Sequence, residues 1–99
     1  MIEDFFNNLM ASTEANNLAK EMCAVMREIR KSTKTATGKP VSIRSLCAKK
    51  NMDYTIMSRA ENPELNNVPL LGFWLDWTES LNVELGDIVK EARVRLKQK

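Results

Sequence analysis

Residues 42–62, SIRSLCAKKNMDYTIMSRAEN, constrain this chain more than any other stretch, because they spell two short helices joined by a tight turn. Ser42 can cap a helix over Ile43–Lys50, and Asp53 can cap the next, from Tyr54 to about Asn62. Asn51 falls at the turn, where asparagine tolerates left-handed backbone better than most non-glycine residues, and Met52 follows it inward. Leu46 and Cys47 are the inward positions of the first helix. In the second, Ile56, Met57 and Ala60 share one face and leave Tyr54, Thr55, Ser58 and Arg59 on the other. A helix that turns a phenol, two hydroxyls and a guanidinium outward, with no acid among them, is suited to base edges and phosphates.

Charge gathers at the same place. The whole chain of 99 residues carries only +2, yet residues 27–60 hold nine basic side chains against Glu28 and Asp53, a local +7. The flanking segments are acidic: one base against four acids before residue 27, and five against seven after residue 60. A basic segment of this kind attracts polyanions even on a nearly neutral molecule.

The remaining chain reads as helix throughout. Phe5, Phe6, Leu9 and Met10 cluster at helical spacing, and Ser12 or Thr13 can cap a second segment reaching about Lys31. In that segment Leu18, Met22, Val25, Met26 and Ile29 recur at three- and four-residue steps as one buried stripe. Residues 32–41, STKTATGKPV, form a loop punctuated by Gly38 and Pro40, and residues 63–67 form another. Pro69 fits the first turn of a further helix to about Leu81, with Leu71, Trp74, Trp77, Thr78 and Leu81 inward. Asn82 can close that helix in a left-handed turn, and Val83, Leu85, Ile88 and Val89 begin the last one. Alternation never persists long enough for a strand. The expected fold class is all-α, a single compact domain of five helices, or six if the N-terminal cluster folds separately.

Several functions are disfavoured. The chain contains no histidine, which removes the commonest general base and most zinc sites, and it has no phosphate-cradling glycine loop and no CxxC. Cys23 and Cys47 read as small buried hydrophobes in a reducing compartment. Asp76 and Glu79 read as a wet helix face. No enzyme, metal or cofactor is expected. The longest apolar run is far below a membrane span, and the opening MIEDFFNNLM carries acids where an export signal needs positive charge, so a cytoplasmic location is expected.

Taken together, these residues resemble the Xre/Cro–lambda-repressor helix-turn-helix family over about residues 23–90, with the motif at 42–62 and residues 1–22 as an N-terminal extension. Members place a small residue in the first motif helix, matched by Cys47 after Leu46, and a turn glycine, matched by Asn51 before the apolar Met52. An apolar anchor midway along the recognition helix is matched by Met57, its closing glutamate by Glu61, and the proline that opens the next helix by Pro69. The leucine–glycine–valine corner is matched by Leu81, Asn82 and Val83, followed by Leu85 and Ile88. Departures are the asparagines at 51 and 82, Asn62 or Pro63 after the recognition helix, and a longer connector before Ser42; the asparagines are read as left-handed positions.

The resemblance implies a sequence-specific DNA-binding regulator. A repressor is the simplest form, binding double-stranded DNA as a homodimer on a roughly palindromic operator with two recognition helices about 34 Å apart. Tyr54, Thr55, Ser58 and Arg59 are the candidate base contacts, while Asp53 is read as a cap and Ile56 as either core edge or thymine contact. Ser42 and Arg44, at a helix N-terminus, lead the candidate phosphate contacts. Lys39, Lys49, Asn66 and Asn67 follow them. Glu61 is implied to be structural, paired with Arg30 or, second in order, Arg27. Trp74 and Trp77 are read as core or dimer-interface residues. The alternatives are an antitoxin on the same fold, gripping a toxin through a terminal extension, and a protein-interaction module without DNA binding. Phe5 and Phe6 could pack on the bundle or meet a partner.

Overall fold

No proline or glycine interrupts the chain between Ile2 and Ser32, and in the computed structural model that whole span is one helix, α1 (Ile2–Ser32). The structure describes the backbone of residues 2–65 and 67–99 and the side chains of 13–65 and 67–99. A separate N-terminal helix beginning at Ser12 or Thr13 does not form. Serine or threonine inside a helix costs only about half a kcal/mol, less than nucleating a new one. The boundary drawn at residue 22 therefore falls inside a helix. Phe5 and Phe6 belong to α1, but their side chains lie outside the described residues. The molecule measures 56 × 28 × 24 Å.

The threonine-rich connector is more ordered than a plain loop. Lys34 and Pro40 form an antiparallel bridge, and the Thr35 N–H donates to the Lys39 carbonyl at 2.7 Å. Gly38, at φ +83°, makes the reversal possible and donates its N–H to the Thr35 carbonyl at 2.9 Å. This small hairpin delivers Val41 into the core, 6% exposed.

Two short helices follow: α2 (Ile43–Lys50) and α3 (Tyr54–Glu61). Both caps are as expected, with Ser42 Oγ accepting from the Ser45 N–H at 3.1 Å and Asp53 Oδ1 from the Ile56 N–H at 3.0 Å. Asn51 turns the chain at φ 53°. Asn62 is not left-handed; its φ is −82° with extended ψ, because a following proline excludes the helical region from the residue before it. Pro69 also stands differently from expectation, two residues ahead of α4 (Leu71–Ser80), whose first accepting carbonyl is that of Leu70. Leu71 was expected inward and is 65% exposed: Trp74, Trp77 and Thr78 fill the buried face, and Leu71 projects past it in the first turn. Asn82 closes α4 at φ 58°, the Val83 N–H reaching back to the Thr78 carbonyl, and α5 (Leu85–Gln98) completes this all-α fold.

Each helix contributes to one core. Met26, Leu46, Met57 and Trp77 are sealed from solvent, and Leu18 and Ile29 extend the α1 stripe at its margin. Trp74 stacks on Trp77 with ring centroids 5.0 Å apart, and Phe73 meets Trp77 edge-on at 5.8 Å. The Trp77 indole N–H has no acceptor. Helix α5 lies along α1, held at its polar margin by Arg95 on Glu28 and by Lys99 Nζ 2.6 Å from Glu21 Oε2, while Arg95 also pairs with Glu91 one turn back on its own helix. Such part-exposed pairs contribute up to about 1 kcal/mol each.

The polar centre is Arg30. Its Nε and Nη2 donate to the two carboxylate oxygens of Glu61, both at 2.7 Å, and its Nη1 donates to the Val41 carbonyl at 2.7 Å. Arg30 is thus the partner of Glu61, with 9% and 6% of the two residues exposed. Removing one member leaves the other charged and buried, which costs about 3–5 kcal/mol. Glu61→Ala should lower the urea unfolding free energy by that amount, and a loss below about 1 kcal/mol would show that the pair does not hold the fold.

Cys23 and Cys47 are both buried thiols. Burial, reinforced by the nearby Glu61 carboxylate, pushes Cys23 from 9.0 up to about 12. The folded thiol therefore keeps its proton where the unfolded one has lost it. The stability that follows is intact below pH 9.0 and declines as pH climbs toward about 12. Unfolding midpoints should fall between pH 8 and pH 10.5 more steeply in the wild type than in Cys23→Ala; parallel profiles would contradict this.

Candidate nucleic-acid interface

The inward face of α3 is fixed by three residues: Met57 and Ala60 enter the core, and Glu61 must meet Arg30. At 100° per residue, the opposite ridge is then Thr55 and Arg59, and both are exposed. Tyr54, 44% exposed, and half-buried Ser58 lie one turn apart on the flank toward α2. Ile56, also 44% exposed, lies on the opposite flank. Its spacing sets it beside Met57 and Ala60, and the sequence leaves it open between core edge and thymine contact; with Glu61 taking the inward arc, it stands on the surface. The signal was available in the glutamate, since its buried partner rotates the helix.

The N-terminus of α2 meets this ridge. The Arg44 guanidinium lies 4.8 Å above the centre of the Tyr54 ring, a cation–π contact that ties the two helices at their exposed edge. The Ser42 hydroxyl is engaged locally: it caps the Ser45 N–H and donates to Ser45 Oγ at 3.1 Å. The first helical bond of α2 runs from the Leu46 N–H to the Ser42 carbonyl, so the N–H groups of Ile43 and Arg44 lie ahead of it, at the positive end of the helix dipole.

Other expected residues are placed unevenly. Asn67 is exposed and shares a groove with Thr55 and Arg59. Asn66 lies outside the described residues. Lys39 is exposed in the hairpin, close in sequence to Ser42. Lys49 is exposed but lies about 140° around α2 from Arg44, on the flank away from α3. Lys50 is occupied by Glu79 at 2.9 Å. A groove of 750 Å³ along α1, lined by Lys20, Arg27 and Lys31 together with Glu21 and Glu28, also reaches Asn67; the sequence did not single it out. The seven- and four-residue spacing of the three bases was the signal for it.

The thiols offer no nucleophile. Burial raises Cys47 above its ordinary range, as do Asp53 and Glu61, and its sulfur sits 3.8 Å from Met57 Sδ. Among the described residues no group of three or more Cys, Asp or Glu side chains is placed to hold a metal ion. No described helix is long and apolar enough to cross a membrane.

Comparison with protein-family models, with curated proteins and with solved structures finds no match.

The geometry of α2 and α3 depends on the Asn51 turn. A left-handed backbone costs an ordinary L-residue about 1–2 kcal/mol, and asparagine less. Asn51→Ala should lower unfolding free energy by about 1 kcal/mol, with Asn51→Gly close to wild type. Equal stability of all three in urea titration would show that the turn is not strained.

Proposed function

We propose that this protein is a sequence-specific DNA-binding transcriptional regulator of the Xre/Cro–lambda-repressor helix-turn-helix type, acting in the cytoplasm as a repressor that occupies its operator. The observation that carries this reading is the acid-free ridge of α3, Thr55 and Arg59, standing exposed beside Arg44 at the N-terminus of α2. A helix seated in a major groove needs this arrangement: an apolar side held by its neighbours and a polar side free along its length.

In this reading α3 is the recognition helix. Arg59 pairs in two-pronged fashion with the O6 and N7 of a guanine, and Thr55 offers a methyl to thymine and a hydroxyl to an acceptor. Ile56, on the flank, adds an apolar contact for a thymine methyl. Tyr54 and Ser58 reach the bases or sugar edge on the α2 side. The N-terminus of α2, with Ser42 and Arg44, faces a phosphate, where backbone N–H groups and the helix dipole favour an anion. Lys39 and Asn67 extend the backbone contacts to either side. These phosphate contacts fix position, and the α3 side chains carry sequence preference. Arg44 has a second role, since its stacking on Tyr54 couples the phosphate contact to the orientation of a base reader.

Arg59→Ala should weaken binding to the preferred site by about 1–3 kcal/mol and relax preference at one base pair. Arg44→Ala should weaken preferred and random duplexes alike and reduce the salt dependence by about one charge. Fragments selected from the source genome supply the preferred site, and fluorescence anisotropy across a salt series measures both variants. Identical losses for the two variants on both kinds of DNA would refute the assignment of roles.

A further inference from the structure

We propose that the groove between the open flank of α3 and the chain entering α4 binds a small carboxylate with an apolar body, the anion pairing with Arg59. Such a ligand would withdraw from DNA the side chain assigned to guanine, and would act as a releasing effector. That consequence rests on the DNA-binding reading. Occupancy of the groove does not, and is measured without DNA.

The groove follows from the rotation of α3. With Met57 and Glu61 inward, Ile56 and Ala60 stand one turn apart along one flank, and Thr55 and Arg59 form the ridge beside them. Val68, Pro69, Leu70 and Phe73 make the opposite wall. The space between them is 540 Å³, within the size range of small-molecule sites. Hydrocarbon is open to a ligand on both sides, since Ile56 is 44% exposed and Leu70 85%. The polar side chains are few: Thr55 and Arg59 along the α3 ridge, and Asn67 where the second wall begins. An apolar cleft with a few convergent polar groups is the usual form of a ligand site.

Charge decides the class of ligand. Arg59 is the one charged residue among those lining the groove. The ion pairs among the described residues engage Arg30, Lys50, Arg95 and Lys99, and leave Arg59 without an acid. A cation would be repelled. A neutral apolar molecule would displace water from the guanidinium and return no hydrogen bond. A polyanion would hold surplus charge against hydrocarbon. A single carboxylate on an apolar body meets both demands. Its two oxygens match the planar fork of the guanidinium, while the body lies on Ile56, Val68 and Leu70.

Gly72 keeps this space open. It lines the groove from the first turn of α4, in a helix, where glycine is less favourable than alanine. Nothing lies within 4 Å of where its Cβ would be, so packing does not demand a glycine there. A larger side chain at 72 would fit the fold and occupy part of the groove. It would touch none of the residues assigned to bases or phosphates in α2.

A guanine edge and a carboxylate require the same donors of Arg59, so each excludes the other. Competition of this kind is reciprocal: the duplex weakens the ligand by the factor by which the ligand weakens the duplex.

Heteronuclear NMR titration of the free protein with phenylacetate tests the site. Phenylethyl alcohol and phenylethylammonium serve beside it as probes of like shape with neutral and positive ends. For a ligand of this size half-saturation should fall near about 1 mM, so titration to about 20 mM suffices. The methyl groups of Ile56, Val68 and Leu70 and the Arg59 side-chain N–H should shift together and saturate. The alcohol and the ammonium should bind at least about tenfold more weakly. Gly72→Leu should abolish the response, and Arg59→Gln should reduce phenylacetate to the level of the alcohol. Both variants should keep the circular dichroism of the wild type, and if one fails to fold the other carries the test. The proposal is overturned if no saturating shift occurs at the groove, if phenylacetate binds no better than the alcohol, or if both variants respond like the wild type. With the preferred duplex, saturating phenylacetate should weaken the wild type to about the level of Arg59→Ala and leave Gly72→Leu unchanged. A filled groove with unchanged DNA affinity would overturn the effector role. A protein that fills the groove but binds no duplex would lose the regulator reading and keep the carboxylate site.

Discussion

A single buried guanidinium determines how the parts of this protein face one another. Arg30 stands at the end of α1, donates to both oxygens of Glu61 at the end of α3, and donates to the Val41 carbonyl where the hairpin enters the core. Three segments distant in sequence are fixed by one planar group whose donors point in set directions. Lysine could neutralise Glu61 but could not reproduce that fork. The orientation of α3 follows from it: once Glu61 points inward, Met57 and Ala60 are buried and Thr55 and Arg59 must face out. The proposed DNA-reading ridge is thus set by a contact on the opposite side of the same helix. The negative charge of Glu61 also reaches both thiols and helps to keep them protonated.

The two short helices have little surface with which to hold themselves. Eight residues each is well below the length at which a helix persists alone in water, so α2 and α3 exist because of their caps and their neighbours. Ser42 and Asp53 begin them, Asn51 turns between them, and Cys47 packs its sulfur against Met57 beneath the turn. On the exposed side, Arg44 over Tyr54 is the matching contact. The pair is stitched on both faces, which suits a unit that would be presented rigidly to a partner.

Local chemistry was the most legible part of the sequence. Caps, the left-handed asparagines at 51 and 82, the buried stripe of α1 and the two core tryptophans all follow from residue type and spacing, and the structure has them. What sequence did not reveal depends on rotation and on neighbours. Ile56 and Leu71 are apolar residues on the outside, because helical spacing gives the breadth of an apolar face but not where the core ends. Asn62 followed Pro63 into extended backbone, where the proline outweighed asparagine's tolerance of left-handed geometry. The continuity of α1 was obscured by Ser12 and Thr13, good caps that are also acceptable inside a helix. Spacing alone sets Tyr54, Thr55, Ser58 and Arg59 off the buried face of α3; which of them stand on the ridge and which on the flank follows from the rotation that the Arg30–Glu61 pair imposes.

The tryptophans have a use beyond packing. Both indoles of the chain lie stacked in the interior, one with an N–H that finds no acceptor, and they sit on the helix whose outer side exposes Leu71 and Leu75. Ultraviolet emission from this protein therefore originates almost wholly from α4. Any event that tilts that helix, such as a duplex drawing on the neighbouring α2, should alter the colour or brightness of that light, so the molecule comes with its own optical gauge.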